Sequence, residues 1–304
     1  MTKCADKRNG IVLTMFGTSV EYALPGLLHI RDRMSARFAQ TPVRIAFTSK
    51  IIRQIWQNRA ADSSYRNTHP EVPEDILHVR SPEAAMVDLQ ETGVDSFVVQ
   101  PVHIAPAGND ACSDYDGNGL GTFASATPGA ESIRRIIFGR PALGTHGAIY
   151  PYAEDIISVV RALSGDAALA RQEKAALYYM GHGNKNCATS RVYNELVEEM
   201  RRQHPDISTV MTLIEDGLLF DETVSELERM GVEKILLKPF MLVAGDHVRK
   251  DMVGGGPRSL KTRLEAKGFV VVPIFKGLGE EDAFADIFVQ HAMDAARDAG
   301  IELR

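Results

Sequence analysis

Short apolar runs alternate along the chain with longer stretches in which apolar residues recur every three or four positions. The first run is "GIVLTMF" (10–16), and a stretch with the longer period follows at 23–39. Continuous short apolar runs are typical of buried parallel strands, and the longer period is typical of amphipathic helices. The alternation predicts an α/β protein whose parallel strands are joined by crossover helices.

The same pattern predicts the remaining elements. In the first half it predicts strands at 43–48, 96–104 and 133–144, helices at 49–60 and 81–93, and loops at 61–80 and 105–130. In the second half it predicts helices at 151–164, 188–203, 219–230, 257–267 and 281–299 and strands at 175–183, 208–216, 233–243 and 269–275. The helix at 81–93 has the clearest signals, because serine and proline open it and glycine ends it.

The two halves of the chain are similar in sequence. "GIVLTMFGTS" matches "AALYYMGHGN", which aligns Gly17 with Gly181. "SFVVQPVHIAPAGND" matches "KILLKPFMLVAGDH", which aligns Pro101 with Pro239. Each copy is long enough for a whole α/β unit, so the repeat indicates two similar domains rather than a solenoid.

We predict two similar Rossmann-like domains with parallel sheets flanked by helices and an active-site cleft between them. The N-terminal domain is placed at 1–145 and the C-terminal domain, with the metal site, at 146–304. The final helix is a candidate to pack back on the N-terminal domain. Because open parallel sheets bind ligands beyond the carboxyl ends of their strands, the strand-end residues are the candidates for chemistry.

Composition narrows the class of protein. The 304 residues are 44% hydrophobic and 24% charged, as in an ordinary soluble globular protein. The net charge of −6 argues against general nucleic-acid binding, and no apolar run approaches the ~20 residues that span a membrane. The three cysteines form no CxxC pair, which suits a reducing compartment. We therefore expect a cytoplasmic protein that binds neither nucleic acid nor membrane.

Three side chains follow predicted strands of the C-terminal half: His182, Glu215 and His247. If those strands are neighbours in one sheet, the side chains can converge. Two imidazoles and a carboxylate suit a divalent first-row metal such as Co, Ni, Zn or Fe. Imidazole also titrates near neutral pH and therefore suits proton removal. The alternative interpretation is that these side chains only satisfy backbone groups at the strand ends.

Other histidines and the basic residues give weaker signals. His103 is interpreted as a core histidine and His146 as a candidate to face the cleft, whereas the surface is predicted for His29, His69, His78, His204 and His291. Basic residues near strand-end loops, some of which could pair with carboxylates of an acidic ligand, are Arg140, Lys185, Arg191, Lys238, Arg249, Lys250 and Arg258. Cys187 lies near His182 in the sequence, without further signs of thiolate chemistry.

Nucleotide and hydrolase motifs are not found in the sequence. It lacks the Walker Lys-Ser/Thr motif, G-x-G-x-x-G and G-x-S-x-G, so neither nucleotide hydrolysis, hydride transfer nor serine hydrolysis is indicated. The glycine-rich "VGGGPRS" (253–259) does not directly follow a predicted strand, and we interpret it as a helix entry or lid.

At "MGHGNKN", "TLIED" and "KPFMLVAGDHVRKDM" the sequence resembles the anaerobic cobalt chelatases of cobalamin biosynthesis, which are ATP-independent class II chelatases. "LTMFGTS", "AFTSKIIR", "VVQPVHI", "IFGRPAL" and "GLGEEDAF" extend the resemblance nearly end to end. It implies a tetrapyrrole cleft between two α/β domains and insertion of Co²⁺ into sirohydrochlorin without a nucleotide. It also implies that His182, Glu215 and His247 hold the metal, with His182 as a proton acceptor.

The resemblance leaves alternatives open. A ferrochelatase, a nickel chelatase and a non-catalytic tetrapyrrole or metal carrier would use the same scaffold, and a homo-oligomer is compatible with the sequence. Contacts to the macrocycle are predicted for Thr18, Ser19, Leu242 and Val243. Two departures from the family pattern stand out: "ND" at 109–110 replaces an acidic pair, and "VGGGPRS" replaces an acidic segment.

Overall fold

Two four-stranded parallel sheets organise the chain, one in each half. The structure, a computed structural model, describes residues 8–105, 133–144, 149–183, 189–214 and 220–304. The first sheet has the order β2-β1-β3-β4, with β1 (Arg8–Met15), β2 (Val43–Phe47), β3 (Val94–Pro101) and β4 (Arg135–Phe138). The second has the order β6-β5-β7-β8, with β5 (Ala176–Gly181), β6 (Thr209–Leu213), β7 (Lys234–Phe240) and β8 (Val270–Pro273). The repeated strand order confirms the predicted α/β fold class.

Helices flank both sheets. In the first half they are α1 (Leu24–Arg37), α2 (Lys50–Ala61), α3 (Ser63–Thr68), α4 (Glu74–Leu77) and α5 (Pro82–Gln90). In the second half they are α6 (Tyr152–Ala162), α7 (Ser164–Glu173), α8 (Thr189–Gln203), α9 (Phe220–Arg229), α10 (Leu260–Ala266) and α11 (Asp282–Asp298). Short helical turns also occur at Glu21–Ala23, Val248–Met252 and Leu278–Glu280. Among the described residues, no helix is both long and apolar enough to cross a membrane.

The sequence pattern misses three helices. The predicted loop at 61–80 contains α3 and α4; Asp62 caps α3 by accepting a hydrogen bond from the Ser64 amide at 2.9 Å, and Ile76 in α4 is buried. Helix α7 directly follows α6, and its buried face is formed by small residues such as Ala167 and Ala170. This helix is hard to recognise in the sequence because alanines are small and only weakly apolar, so its buried face differs little in hydropathy from its exposed face.

Strand pairing fixes how the two halves correspond. β1 pairs with β3 so that Thr14 lies opposite Pro101. β5 pairs with β7 so that Met180 lies opposite Pro239. The predicted match between the two prolines agrees with this register, and Thr14 is therefore the equivalent of Met180.

The same register corrects the other predicted match, that of Gly17 with Gly181. Phe16 is the equivalent of His182, and Gly17 is the equivalent of Gly183 rather than of Gly181. Both Gly17 and Gly183 have a positive φ, of 95° and 77°. The alignment of Gly17 with Gly181 is thus wrong by two residues, because the turn conformation that favours glycine occurs at 17 and 183.

The last helix connects the two halves. α11 packs against α1, β3 and β4 as well as against α6. Arg33 on α1 donates two hydrogen bonds to the Asp286 carboxylate on α11, at 2.9 and 2.5 Å. One apolar core continues beneath both sheets and includes Leu13, Leu177 and Phe284. The domain limits at 145 and 146 stay a prediction.

A buried ion-pair cluster joins the end of β4 to α6 and α11. Arg140 donates to the Asp155 carboxylate at 2.8 and 2.9 Å and to Asp294 at 3.0 Å. His291 is 2% exposed and its Nε2 lies 3.1 Å from Asp155. The prediction that His291 lies on the surface is wrong, because its face of α11 meets this cluster. Arg140 is engaged inside the protein and does not serve as a free cation for a ligand.

Candidate metal centre

The imidazoles of His182 and His247 lie together at the carboxyl edge of the second sheet. Their ring centroids are 4.8 Å apart, and the rings are inclined at 83°. His182 directly follows β5, and His247 follows β7 after a short loop. Because β5 and β7 are hydrogen-bonded neighbours, the crossover topology brings together two side chains that are far apart in the sequence.

Each imidazole is oriented through its Nδ1 atom. Nδ1 of His182 lies 3.0 Å from the Gly183 carbonyl oxygen, and Nδ1 of His247 lies 2.7 Å from the Asp251 carboxylate. Both partners are acceptors, so each hydrogen bond requires a proton on Nδ1. In the neutral tautomer Nε2 then carries a lone pair, which suits a metal ligand or a proton acceptor.

A five-residue helical turn sets the position of Asp251 relative to His247. The turn spans Val248–Met252, and the Val253 amide donates to the Val248 carbonyl at 3.1 Å, the spacing of a π-helix. Val248 and Met252 are fully buried. With these two residues anchored in the core, His247 and Asp251 remain on the outer side. Such wide turns occur often at functional sites.

A residue from the first half reaches this turn. The Tyr22 hydroxyl donates to Asp246 at 3.2 Å, and the Arg249 guanidinium carbon lies 3.4 Å from the centre of the Tyr22 ring. Lys250 also pairs with Asp246, at 2.8 Å. The Lys250 hydrogen bond holds the pKa of Asp246 below its ordinary value. The carboxyl edges of the two sheets therefore face each other beside His247.

Sequence reasoning misses Tyr22, Asp246 and Asp251. Tyr22 has no partner nearby in the sequence, and only the fold brings it to Asp246. Asp251 does leave a signal, because a carboxylate four residues after a histidine can meet it on a helical turn.

The predicted third ligand, Glu215, lies outside the described residues. Within the described part of the chain, no group of three His, Cys, Asp or Glu side chains forms a metal site. The structure therefore gives two neighbouring imidazoles, and the complete triad stays a prediction. His146, Lys185 and Cys187 also lie outside the described residues.

The residues predicted to contact a macrocycle all have contacts within the protein. The Thr18 hydroxyl accepts from the Val20 amide at 3.2 Å, and the Thr18 carbonyl accepts from the Trp56 indole at 2.8 Å. The Leu242 carbonyl accepts from the Gly279 amide at 3.0 Å. Ser19 and Val243 are half-buried near the same strand ends. Macrocycle contacts by Thr18, Ser19, Leu242 and Val243 stay predictions.

The basic residues fall into two groups. Lys238 is 1% exposed and pairs with Asp166 at 2.5 Å and with Glu281 at 3.3 Å, so it is a buried structural residue. Exposed cations are Arg191, Arg249, Lys250 and Arg258. Arg249 and Lys250 lie two and three residues after His247, on the same turn, and are therefore best placed of these cations to meet an acidic ligand. At the end of β3, burial lowers the pKa of His103, but the residue is half-buried, and its interpretation as a core histidine stays a prediction.

A family model described as cobalt chelatase (CbiK) matches residues 9–297. The chain belongs to this cobalt chelatase family. The curated sirohydrochlorin cobaltochelatase CbiKC of Nitratidesulfovibrio vulgaris Hildenborough is 28% identical over 290 residues, which cover 93% of this chain and 89% of that protein. The sirohydrochlorin cobaltochelatase of Salmonella typhimurium LT2 is 32% identical over 163 residues, 53% of this chain and 57% of that protein.

Solved structures have the same fold. SirB from Bacillus subtilis, determined with Fe³⁺, superposes with a TM-score of 0.60 at 14% identity and covers 98% of this chain and 100% of its own. A cobalt complex of the sirohydrochlorin chelatase SirB from Bacillus subtilis subspecies spizizenii gives a TM-score of 0.57 at 13% identity, with the same coverage. At these identities the likeness concerns the fold alone.

Proposed function

We propose that this cobalt chelatase inserts Co²⁺ into sirohydrochlorin without a nucleotide, with His182 and His247 as ligands of the incoming ion. The observation that carries the proposal is the pair of adjacent imidazoles with both Nδ1 atoms engaged. The names of the curated relatives supply the substrate. Glu215 is included as the third ligand from the sequence pattern alone.

The proposed reaction exchanges two pyrrole protons of the macrocycle for one divalent ion. As the Co–N bonds form, the ion leaves the imidazoles and the protons pass to bases. A neutral imidazole accepts a proton at Nε2 near neutral pH. His182 is the proposed acceptor, and water at the exposed rim of the site removes the protons. His247 is proposed to hold the ion until transfer, because its carboxylate partner strengthens Nε2 as an electron-pair donor to a metal.

Cations beside His247 suit the carboxylates of sirohydrochlorin. Arg249 and Lys250 are both exposed, and Arg249 is fixed against the Tyr22 ring. A guanidinium held in one orientation loses less side-chain entropy when it binds a carboxylate. We therefore propose that carboxylates of sirohydrochlorin bind to Arg249 and Lys250.

Substitution of His182 by alanine tests the proposal. His182→Ala should lower the rate of Co²⁺ insertion by about 100-fold or more, since it removes a ligand and a base together. The measurement follows the visible spectrum of sirohydrochlorin under anaerobic conditions, without added nucleotide. His78→Ala, which removes an exposed histidine of the first half, is the matched control and should keep the wild-type rate. Insertion at the wild-type rate by His182→Ala would contradict the assigned role.

The same assay separates the alternatives. A chelatase produces many equivalents of metallated product, whereas a carrier stops at one equivalent per chain. Repeating the assay with Fe²⁺ and Ni²⁺ compares the three metals directly, because the ligand types do not select cobalt by affinity. If iron or nickel were inserted faster than cobalt, that metal rather than cobalt would be the proposed substrate.

A further inference from the structure

Tyr22, in the first half, contacts the chain on both sides of His247. Its hydroxyl donates to Oδ1 of the Asp246 carboxylate at 3.2 Å, across 224 residues of sequence. The guanidinium carbon of Arg249 lies 3.4 Å from the centre of the Tyr22 ring. Asp246 directly precedes His247 and Arg249 follows it by two residues. The turn next to a proposed metal ligand is therefore held from the opposite half of the molecule.

Both oxygens of the Asp246 carboxylate are engaged within the protein. Oδ1 accepts from Tyr22, and Oδ2 accepts from the Lys250 ammonium at 2.8 Å. The Lys250 contact is local, because the two residues are four positions apart on one turn. The Tyr22 contact fixes the turn relative to the first half. With both oxygens occupied, Asp246 is better suited to hold its neighbour His247 in place than to bind a metal itself.

The loop that leads from β7 to His247 packs against the same part of the first half. A Cβ atom built on Gly26, in the first turn of α1, would lie 2.6 Å from the Leu242 carbonyl oxygen. One built on Gly245 would lie 3.7 Å from the side chain of Ala23, which is buried. Such contacts leave the loop little room to shift. Tyr22 extends them to the residue that directly precedes His247.

We infer that Tyr22 is a positioning residue for the metal centre, which holds the His247 imidazole in the orientation that faces His182. The inference rests on the proposed function and adds that the first half helps to set the Co²⁺ affinity of ligands in the second. Without Tyr22, Val248 and Met252 would still anchor the turn in the core, but its link to the first half would be lost. The imidazole would then be correctly oriented for a smaller fraction of the time, and the apparent affinity falls with that fraction.

The test measures Co²⁺ binding by calorimetry without sirohydrochlorin, so that no effect of Arg249 on the macrocycle enters. Tyr22→Ala removes the hydroxyl and the ring and should raise the Kd for Co²⁺ about tenfold. Tyr22→Phe keeps the ring against Arg249 and loses only the hydrogen bond to Asp246, so it should raise the Kd about threefold. Partial rescue by phenylalanine distinguishes positioning from a general loss of stability, which urea unfolding of each variant measures separately.

A double-mutant cycle tests whether the Tyr22 hydroxyl acts through Asp246. Asp246→Ala alone should raise the Kd for Co²⁺, since it removes the same hydrogen bond. The double variant with Tyr22→Phe should bind Co²⁺ no more weakly than Asp246→Ala alone, because one bond can be lost only once. If the two effects multiplied instead, Tyr22 would not act through Asp246, and the assigned role would be wrong.

Tyr150 offers a matched control, because it makes the same two kinds of contact elsewhere. Its hydroxyl donates to Asp298 on α11 at 2.7 Å, and the Arg140 guanidinium carbon lies 4.1 Å from the centre of its ring. Tyr150→Ala should leave the Kd for Co²⁺ unchanged. A wild-type Kd in Tyr22→Ala would overturn the inference and leave the proposed function intact. If the wild type itself bound no Co²⁺, the proposed function would fail, and the inference with it.

Discussion

At the scale of single residues, the two imidazoles differ in what orients them. His182 meets a neutral carbonyl, that of Gly183, whereas His247 meets the carboxylate of Asp251. A carboxylate partner raises the basicity of a metal-binding imidazole and fixes its tautomer. The strand-end pattern in the sequence was enough to find both histidines. It did not reveal Asp251, because that contact depends on the turn at Val248–Met252.

The role of Asp251 leads to a prediction about metal affinity. Asp251→Asn keeps the size of the side chain but removes the charge that orients His247, so the affinity for Co²⁺ should fall about 10- to 100-fold. Calorimetric titration of Co²⁺ into the metal-free protein measures this. Asp88→Asn, which changes a half-exposed carboxylate paired with Arg80 in the first half, is the control and should bind Co²⁺ normally. An unchanged affinity in Asp251→Asn would show that the carboxylate does not act on the metal site.

At the scale of elements, most of the fold could be predicted because strands and helices differ in apolar period. Eight helices and eight strands were recognised in this way, whereas the order of the strands within each sheet is known from the structure alone. The match between the halves was wrong at Gly17 because sequence similarity does not report backbone conformation. What the pattern could not give was Tyr22 at the metal-site turn, since that contact joins elements from different halves.

The turn after β5 can be tested through its glycine. Gly183 has φ of 77°, a conformation that costs a residue with a Cβ atom about 1–2 kcal/mol. Gly183→Ala should therefore lower the free energy of unfolding by about that amount and weaken Co²⁺ binding, because the Gly183 carbonyl orients His182. Urea unfolding and calorimetry measure the two effects. Gly165→Ala, at a helical position where an added Cβ meets nothing within 4 Å, should be neutral or slightly stabilising. Equal stability of the two variants would contradict the argument.

At the scale of the whole molecule, the cluster around Asp155 holds the two halves together through α6 and α11. Burial acts to raise the pKa of Asp155, but hydrogen bonds from His291 and Arg140 outweigh it, so the pKa lies below its ordinary value. A carboxylate whose pKa is lowered by folding contributes stability above its unfolded pKa of about 3.9 and loses that contribution as the pH falls. The stability of the wild type should therefore drop in this acid range.

Replacing Asp155 removes the carboxylate to which Arg140 donates two hydrogen bonds and leaves the buried arginine paired with Asp294. Asp155→Asn should lower the free energy of unfolding by about 3 kcal/mol at neutral pH, the usual cost of removing one partner from a buried pair. Its stability should also depend less on pH in the acid range, which urea unfolding at several pH values measures. The matched control is Asp206→Asn, because Asp206 also pairs with an arginine through two contacts, of 2.6 and 3.0 Å to Arg171, but on the surface. An exposed pair contributes at most about 1 kcal/mol, so the two variants should differ clearly. If they lost equal stability, the cluster would be no more than a surface ion pair in its effect, and the connection between the halves would depend on the shared apolar core instead.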